Sequence, residues 1–472
     1  MLDRRQLLRV ASLQRSHCPG RAPGIRRQAA GVVAGCCVAL AGLAAPSVYP
    51  TGTTIYDTGQ AFSGYTVLSP LGETAVVIDM NGNVVKTWDG FINSAGGPVR
   101  VLPGGHVVAA VGARPPRQES LGLEQRDFAD NVVWEFDRNE RIQTDAGETW
   151  ALLQHHDWQR ADFPAGYYSP AFTPSAEGAT TLVLTHTYHR EPNVTAEREL
   201  TDDRIIEVTW DGEIVWEWTA GEHIDKFGFS DAALATIASA PGFGNGPFDW
   251  FHINSATYLG PNRFFDRGDE RFAPDNVIIS SRQSSIVAII DRDGEVVWQL
   301  GPDFDATPEL RRIRQIIGQH HAHMIPVGLP GAGNIMIFDN GGSSGYGSSS
   351  PIALNGSGIY ARATSRVVEI DPRTLELVWS YAGPNFFSTN ISGAQRLPNG
   401  NTLITEGAGG RLFEVTAEGD IVWEYVHPVF SGARRSNGVY RAYRIPYEWI
   451  PQLPVPDEVA VTPPSLVDFR VP

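Results

Sequence analysis

The hydrophobic and polar positions of this chain follow one pattern that recurs six times. In each copy an apolar run alternates with polar residues, a turn follows, and a second alternating run reaches a tryptophan, as in RIIEVTWDGEIVWEW. Alternating runs joined by Asn-Gly, Asp-Gly or Glu-Gly turns predict β-hairpins. The six tryptophans are Trp88, Trp134, Trp216, Trp298, Trp379 and Trp423. We expect each of them to pack between neighbouring units.

A second hairpin pattern precedes most copies, most clearly AQRLPNGNTLITEG at residues 394–407. Two hairpins per unit make a four-stranded sheet, and six such sheets in tandem predict an all-β fold, a six-bladed β-propeller. The tryptophans are unevenly spaced, which we attribute to inter-blade insertions such as 190–203 and 221–249. Nine shorter blades are the competing interpretation, but the pattern occurs six times.

The first 45 residues differ from the rest of the chain. They carry seven arginines and one aspartate, and an apolar run of small residues occupies 29–45. This order is typical of an export signal or an N-terminal anchor, and the run is short for a transmembrane helix. We therefore predict an exported protein, periplasmic or extracellular, which an anchor would hold at the membrane. The propeller is predicted over 46–450 and a proline-rich tail over 451–472.

Charge and cysteine content narrow the class of protein further. The formal net charge is −16, and such an acidic chain is a poor partner for the phosphates of nucleic acids. All three cysteines, Cys18, Cys36 and Cys37, lie in the first 45 residues. We therefore expect no disulfide and no thiol chemistry in the propeller.

Several histidines fall where a propeller would place them in its central channel. The first strand of each blade lines that channel, and the turn that follows it aligns the strands of different blades. On this alignment His156 lies in the third inner strand, His252 in the fourth, and GQHHAHMIP forms the fifth. Side chains alternate along a strand, so His321 and His323 share one face and His320 occupies the other. Several imidazoles are therefore expected in one pocket.

A pocket of imidazoles suits two kinds of chemistry. A neutral imidazole attacks an electrophile or accepts a proton, and the guanidinium groups of arginines match the oxygens of a transferred anionic group. Alternatively, His252, His321 and His323 could hold zinc or copper, although no carboxylate or cysteine accompanies them at ligand spacing. We predict nucleophilic and acid–base chemistry with no metal and no cofactor. A metal-dependent enzyme and a non-catalytic ligand-binding propeller stay open as alternatives.

Four segments resemble the bacterial arylsulfate sulfotransferases. They are DWFHINSATYL at 249–259, IISSRQSSIVAIIDRDGEVVWQLGP at 278–302, QHHAHMIP with the later IFDNGG within 319–342, and SRVVEIDP at 365–372. The resemblance covers most of 60–430 and implies a six-bladed propeller. It also implies that a sulfuryl group passes, without PAPS, from an aryl sulfate ester to a phenolic acceptor through a sulfated histidine. The implied partners are those two small molecules.

The resemblance also assigns residues. His252 matches the histidine of the D-W-x-H-x-N-S motif, and His321 matches the histidine before F-D-N-G. With His323, these are the predicted catalytic residues. The residues predicted to bind the sulfuryl group are Asn254, Arg282, Asn340, Arg366 and His156.

Three departures from the family leave the nucleophile open. The family's S-S-R-H is Ser280-Ser281-Arg282-Gln283 here. The family has an arginine soon after D-N-G, whereas the next arginine here is Arg362. The family's sulfated histidine lies nearer the C-terminus, but no histidine occurs here between His323 and His427. The sixth inner strand offers Ser392 and Gln395 instead.

Overall fold

The structure is a computed structural model of the chain. It describes residues 50–91, 97–113, 118–144, 147–239, 248–344, 360–431 and 435–463. The export signal or anchor predicted over 1–45 and the end of the predicted tail, 464–472, lie outside these residues. Among the described residues, no helix is long and apolar enough to cross a membrane.

Six antiparallel sheets form the blades of a propeller, which confirms the fold predicted from the repeat. From the centre outwards, blade 2 contains Arg100–Leu102, His106–Val111, Gly122–Arg126 and Val132–Phe136. Blade 3 contains Leu153–Arg160, Thr181–Glu191, Thr195–Val208 and Ile214–Thr219. Blade 4 contains Ile253–Tyr258, Val277–Ser281, Ile286–Ile290 and Val296–Leu300. Blade 5 contains His320–Met324, Ile335–Asp339, Arg366–Asp371 and Glu376–Tyr381.

Both ends of the folded chain close the ring. Blade 6 contains Gly393–Arg396, Thr402–Glu406, Arg411–Val415 and Ile421–Val426, and the N-terminal strand Gly52–Tyr56 is its fifth, outermost strand. Blade 1 contains Tyr65–Pro70, Ala75–Ile78 and Val84–Trp88, and its innermost strand is the C-terminal Val439–Ile445. The register pairs Thr53 with Tyr425 and Val67 with Tyr443. Residues far apart in sequence therefore join in blades 1 and 6.

Blade 3 differs from the prediction. The segment 190–203, expected to be an insertion between blades, lies within the blade as the lengthened hairpin of Thr181–Glu191 and Thr195–Val208. The strand Glu119–Ser120 pairs with the inner strand of this blade, and Phe248–Asp249 runs parallel to its third strand. These two short strands carry Glu119 and Asp249 to the histidine-rich end of the channel. The rest of 221–249 includes the helix Asp231–Ser239.

The burial of each strand explains its pattern of apolar and polar residues. Every residue of Val277–Ser281 and Ile286–Ile290, in the middle of blade 4, is buried, and these strands are mostly apolar. The outer strand Ile214–Thr219 alternates between more and less exposed positions, because only one of its faces packs on the neighbouring blade. The apolar core consequently forms several clusters, each between adjacent blades.

The six tryptophans of the repeat link the blades in a ring, as expected. Each indole N–H donates a hydrogen bond to a backbone carbonyl in a turn of the next blade. The acceptors of Trp88, Trp134, Trp216, Trp298, Trp379 and Trp423 are the carbonyls of Asp127, Trp210, Arg292, Pro372, Ala417 and Met80, at 2.7–3.0 Å. The last of these bonds joins blade 6 to blade 1.

The remaining elements lie outside the blades. Two small hairpins pair Glu140–Thr144 with Gly147–Ala151 and Ser343–Ser344 with Tyr360–Ala361. A second α-helix spans Pro308–Ile313. The 3-10 helices are Pro164–Gly166, Ala220–Lys226, Phe265–Arg267, Glu270–Phe272, Gly407–Gly409 and Tyr447–Trp449. Of the predicted tail, Val461 forms a β-bridge with Tyr56.

Candidate functional site

Three histidines stand at corresponding places near the start of neighbouring inner strands. His156, His252 and His321, in blades 3, 4 and 5, have φ values of 52°, 55° and 52°. The pairing register shifts within each of these strands. A side chain other than glycine in the left-handed region costs on the order of 1–3 kcal/mol, and such residues concentrate at functional sites. In blade 6 the corresponding residue is Ser392, with φ 89°.

Two of these histidines, together with His320, form the group that we call the histidine cluster: His156, His252 and His320. The rings of His156 and His252 meet edge to face, with centroids 4.7 Å apart. His320 Nδ1 lies 2.7 Å from Asn340 Oδ1, so its Nδ1–H donates to that amide oxygen. Asn340, predicted to bind the sulfuryl group, is thus in contact with the cluster.

His252 forms a pair with a carboxylate. Its Nδ1 lies 2.6 Å from Asp249 Oδ2, and the side chains are 18% and 24% exposed. Burial raises the pKa of Asp249, but the charge and the hydrogen bond of His252 outweigh burial and lower it, so the carboxyl is ionised. Because Nδ1–H donates to this carboxylate, Nε2 of His252 carries the free lone pair. The carboxylate therefore orients the imidazole of His252 at a partly exposed position in the channel.

Arg282 brings positive charge to the same place. Its backbone N–H donates to the His252 carbonyl at 3.0 Å, and its guanidinium donates to Gln283 at 2.8 Å. Burial, followed by the charge of Arg282, holds the pKa of His320 well below its usual value. Burial and the nearby His252 do the same for His156. His156 and His320 are therefore neutral at pH 7, while Arg282 supplies a cation for an anionic ligand.

His321 and His323 lie together in a second group, as strand alternation predicts. Their ring centroids are 4.4 Å apart. The His323 Nδ1–H donates to the His321 carbonyl at 3.0 Å, and Tyr167 Oη donates to His323 Nε2 at 3.0 Å. Both nitrogens of His323 are therefore used within the fold. Burial is the main reason that the pKa of His323 is lowered to about 4.

His321 keeps one unused nitrogen. Its Nδ1 accepts a hydrogen bond from the Ala394 N–H at 3.3 Å, so the proton of the neutral ring is on Nε2. That Nε2 is buried and has no hydrogen-bond partner. An unpaired buried donor is costly, and a ligand oxygen in the channel would relieve the cost.

Sequence reasoning missed Arg441, whose charge adds to burial in lowering the pKa values of His321 and His323. Arg441 lies in the closing strand of blade 1 and donates to Asp157 Oδ2 at 3.0 Å and to the Asn254 carbonyl at 2.8 Å. Arg100 donates to the other oxygen of Asp157 at 2.9 Å. All three charged side chains are almost completely buried. The alternating VYRAYRI segment was the available signal, but it points to the channel only if the last strand is known to be innermost.

The other predicted binding residues have different surroundings. The side-chain amide of Asn254 donates to the Gln319 carbonyl at 2.7 Å, and its buried Oδ1 has no hydrogen-bond partner. Arg366 lies in the third strand of blade 5, where its Nε donates to Asp339 at 2.7 Å. Its guanidinium also donates to the carbonyls of Arg314 and Gln315, and none of these partners is a channel histidine, so its predicted sulfuryl-binding role stays a prediction.

The structure does not assemble the metal set considered from the sequence. Within the described ranges, His252, His321 and His323 are not brought together as ligands. One group of three His, Cys, Asp or Glu residues does place its ligand atoms within 4.8 Å of one another: His155, His186 and Asp203. That group adjoins the histidine cluster, because His155 Nδ1 lies 2.8 Å from His156 Nδ1.

Comparison with known proteins gives a family match. The family model described as Arylsulfotransferase (ASST) matches residues 158–422, more than half of the chain. No curated protein matches the sequence. A solved protein of unknown function from Bacteroides caccae is similar over 81% of this chain and 99% of its own, at 10% identity and a TM-score of 0.45. The β-propeller domain of Cps50 (Swd1) from Myceliophteria thermophila is similar over 80% and 87%, at 9% identity and a TM-score of 0.36.

Proposed function

Because the chain belongs to the arylsulfotransferase family, whose members are transferases with small aryl donors and acceptors, we propose a specific reaction and a specific carrier. The protein transfers a sulfuryl group from an aryl sulfate ester to a phenol, without PAPS. His252 carries the group between the two. The observation that supports this choice is the 2.6 Å pair of His252 with Asp249 beside Arg282, at a partly exposed position in the channel.

In the first half-reaction the lone pair on His252 Nε2 attacks the sulfur of the donor. The N–S bond forms as the bond from sulfur to the aryl oxygen breaks, and the aryl oxide leaves with the electron pair. The imidazole ring, now bonded at Nε2 and still protonated at Nδ1, becomes positive. The Asp249 carboxylate, which accepts the Nδ1–H, stabilises that charge where it develops.

In the second half-reaction the acceptor phenol attacks the sulfur of the sulfated histidine. The new O–S bond forms while the N–S bond breaks, and Nε2 recovers its lone pair. The phenolic proton passes to His320, a neutral member of the histidine cluster whose Nδ1–H donates to Asn340 and whose Nε2 therefore keeps a lone pair. His320 then releases the proton to water, because its low pKa disfavours keeping it.

Positive charge and N–H donors stabilise the sulfuryl oxygens in both steps. Arg282 takes this role beside His252, and the unpaired Nε2–H of His321 supplies a neutral donor on the neighbouring blade. His323 acts indirectly, because Tyr167 and the His321 carbonyl occupy both of its nitrogens. We assign His323 to fixing the backbone and ring of His321.

The test is turnover of 4-nitrophenyl sulfate, with and without added phenol. We expect release of nitrophenol that depends on phenol, and formation of phenyl sulfate. His252→Ala should abolish turnover, and Asp249→Asn should lower it by about 10²–10⁴-fold, since the charged orienting group is lost. His106→Ala is the control, because His106 contacts Gln125 in blade 2 and should leave the rate unchanged.

Mass spectrometry locates the carrier directly. After a short reaction with donor alone, the peptide that contains His252 should gain one SO₃ group, and phenol should remove it. A sulfated peptide elsewhere, or normal turnover in His252→Ala, would contradict the assignment. A folded protein that binds donor but releases no nitrophenol would instead favour the non-catalytic ligand-binding propeller.

We also propose that residues 1–45 export the protein to the periplasm or cell exterior. The support is the order of seven arginines followed by the apolar run at 29–45. Expression of the whole chain and of a chain that starts at residue 46, followed by cell fractionation, tests this. Equal amounts of both chains outside the cytoplasm would contradict the proposal.

A further inference from the structure

Three further titratable side chains, His155, His186 and Asp203, adjoin the histidine cluster and take no part in the proposed reaction. His155 comes from the inner strand of blade 3, His186 from the second strand, and Asp203 from the third. Their exposures are 0%, 3% and 1%. The imidazole rings of His155 and His186 stack, with centroids 3.6 Å apart. Three adjacent strands thus bring two imidazoles and a carboxylate together at a site that is buried from solvent.

The three atoms that face one another have no hydrogen bonds. His155 Nε2 and His186 Nε2 lie 3.3 and 3.9 Å from Asp203 Oδ1, yet none of the three atoms has a hydrogen bond of acceptable geometry. Buried polar atoms without partners cost about 1–3 kcal/mol each. One proton placed among these atoms would pair two of them and leave the third unpaired. A divalent cation would engage all three.

The spacing fits a small transition-metal ion. Ligand atoms about 2.1 Å from a tetrahedral zinc ion lie about 3.4 Å apart. The two observed nitrogen-to-oxygen distances, 3.3 and 3.9 Å, bracket that value. The stacked rings must splay slightly so that each Nε2 lone pair points at the ion. Three protein ligands leave a fourth coordination position for water or another small ligand.

The outer partners of these residues also suit metal binding. Metal-ligating imidazoles usually donate the other ring N–H to a carboxylate, a carbonyl or water. His186 Nδ1 lies 3.0 Å from Glu119 Oε1, and His155 Nδ1 lies 2.8 Å from His156 Nδ1. Asp203 Oδ2 accepts the Ile253 N–H at 2.9 Å, which leaves Oδ1 for the ion.

We propose that His155, His186 and Asp203 bind one divalent transition-metal ion of the zinc class, through two imidazole nitrogens and one carboxylate oxygen. The choice of ion follows from the mixed nitrogen and oxygen ligands. Binding at His155 Nε2 places that ring's proton on Nδ1, from which it donates to His156 Nδ1. The ion thereby fixes the tautomer of the histidine that faces His252. The site does not depend on the proposed sulfuryl transfer.

The first experiment uses the full chain with Cys18, Cys36 and Cys37 replaced by serine, so that thiols cannot bind the ion. After treatment with a chelator, the protein is titrated with Co²⁺, and its visible d–d bands are recorded. We expect saturation at about one equivalent, with the intensity of a low-coordinate nitrogen and oxygen site, and displacement by Zn²⁺. Elemental analysis of protein purified without chelator should find about one metal ion per chain.

Matched variants locate the ion. His186→Gln should weaken Co²⁺ binding more than about 100-fold, and Glu119→Gln about 10–100-fold, because Glu119 orients the ring of His186. His189→Gln should bind as the parent does, because His189 lies on the same strand but bonds Asp202 at 2.9 Å. Circular dichroism checks that each variant is folded.

Two results would overturn the proposal. One is a folded parent protein that shows no saturable Co²⁺ bands and carries no metal. The other is a folded His186→Gln protein that binds Co²⁺ as tightly as the parent. If His186→Gln fails to fold, the parent alone decides, since Zn²⁺ must raise its melting temperature and the chelator must lower it. Phenol-dependent turnover is measured separately, so failure of the metal site leaves the proposed function standing.

Discussion

At the scale of single residues, Asp157 and its two arginines form a group of almost completely buried charges. Arg100 and Arg441 each donate to a different oxygen of Asp157, at 2.9 and 3.0 Å. Two guanidinium groups without water nearby need this carboxylate, because the cost of removing a charge from water is several kcal/mol. Asp157 therefore holds together the inner strands of blades 1, 2 and 3.

We expect Asp157→Asn to destabilise the protein by about 3–5 kcal/mol, because it leaves two buried cations without a counter-charge. The control is Glu148→Gln, which breaks the Arg141–Glu148 pair. The side chains of that pair are 50% and 61% exposed, so its loss should cost less than about 1 kcal/mol. Urea unfolding of both variants gives the comparison. Equal losses of stability would contradict a structural role for the buried carboxylate.

The candidate site was only partly predictable at this scale. His252 and His321 were found because a motif and a strand pattern placed them in the channel. Asp249 was within the quoted motif, but its contact with His252 depends on the parallel pairing of Phe248–Asp249 with blade 3. Arg441 was missed because its partner Asp157 lies 284 positions away in the sequence. No local pattern contains such a pair.

At the scale of elements, the tryptophan of each blade has two functions. The ring fills space between blades, and the N–H pairs with a carbonyl of the next blade. Trp423 is completely buried and donates to the Met80 carbonyl at 2.8 Å, across the closure of the ring. Trp379 makes the same bond to the Ala417 carbonyl at 2.8 Å in an exposed setting. The two residues allow the hydrogen bond to be compared with and without burial.

Trp423→Phe keeps an aromatic ring but removes the N–H. We expect a loss of about 1–3 kcal/mol, because the buried Met80 carbonyl loses its partner. Trp379→Phe should cost less than about 1 kcal/mol, because water can replace the lost donor. Thermal and urea unfolding measure both. The expectation fails if the half-buried Trp379 proves as costly to replace as the fully buried Trp423.

The sequence predicted some elements of the fold correctly and misassigned one. The hairpin turns and inner strands of blades 3–6 were read correctly, because alternation and turn residues are local properties. The polar composition of 190–203 predicts an insertion, yet the segment belongs to the lengthened hairpin of blade 3, where Thr181–Glu191 pairs with Thr195–Val208. Polarity alone does not distinguish a loop from a strand that has left the core.

At the scale of the whole molecule, the centre of the propeller contains several buried histidines that are neutral at pH 7. Burial is the largest cause that lowers the pKa values of His320, His321 and His323. Near His323, the cations Arg441 and Arg100 lower its pKa further, while the backbone bond to His321 and the charge of Asp157 raise it. Each of these rings takes up a proton more readily in the unfolded chain.

The free energy of unfolding should therefore decrease as the pH is lowered. A histidine in the unfolded chain has a pKa near 6.5, so unfolding takes up protons as the pH drops below about 6.5. For His323 the loss continues to about pH 4, where the folded protein is protonated as well, and it amounts to about 3 kcal/mol. Urea unfolding of the parent and of His323→Gln between pH 7 and pH 4 measures this window. The variant should lose about 3 kcal/mol less, and parallel curves would contradict the assignment.

The sequence by itself determined the kind of fold and the inner strands that carry most of the channel histidines. Repeated alternation, turn residues and tryptophans specify hairpins, their number specifies six blades, and position within a repeat specifies the channel strands. Only the tertiary structure decided which strands close the ring and which charges meet at its centre. Val439–Ile445 becomes the inner strand of blade 1, Asp249 reaches His252, and three strands bring His155, His186 and Asp203 together. Val439–Ile445 joins blade 1 only when the ring closes. The other two contacts depend on how strands pair at blade 3, and local hydrophobic patterns do not specify that pairing.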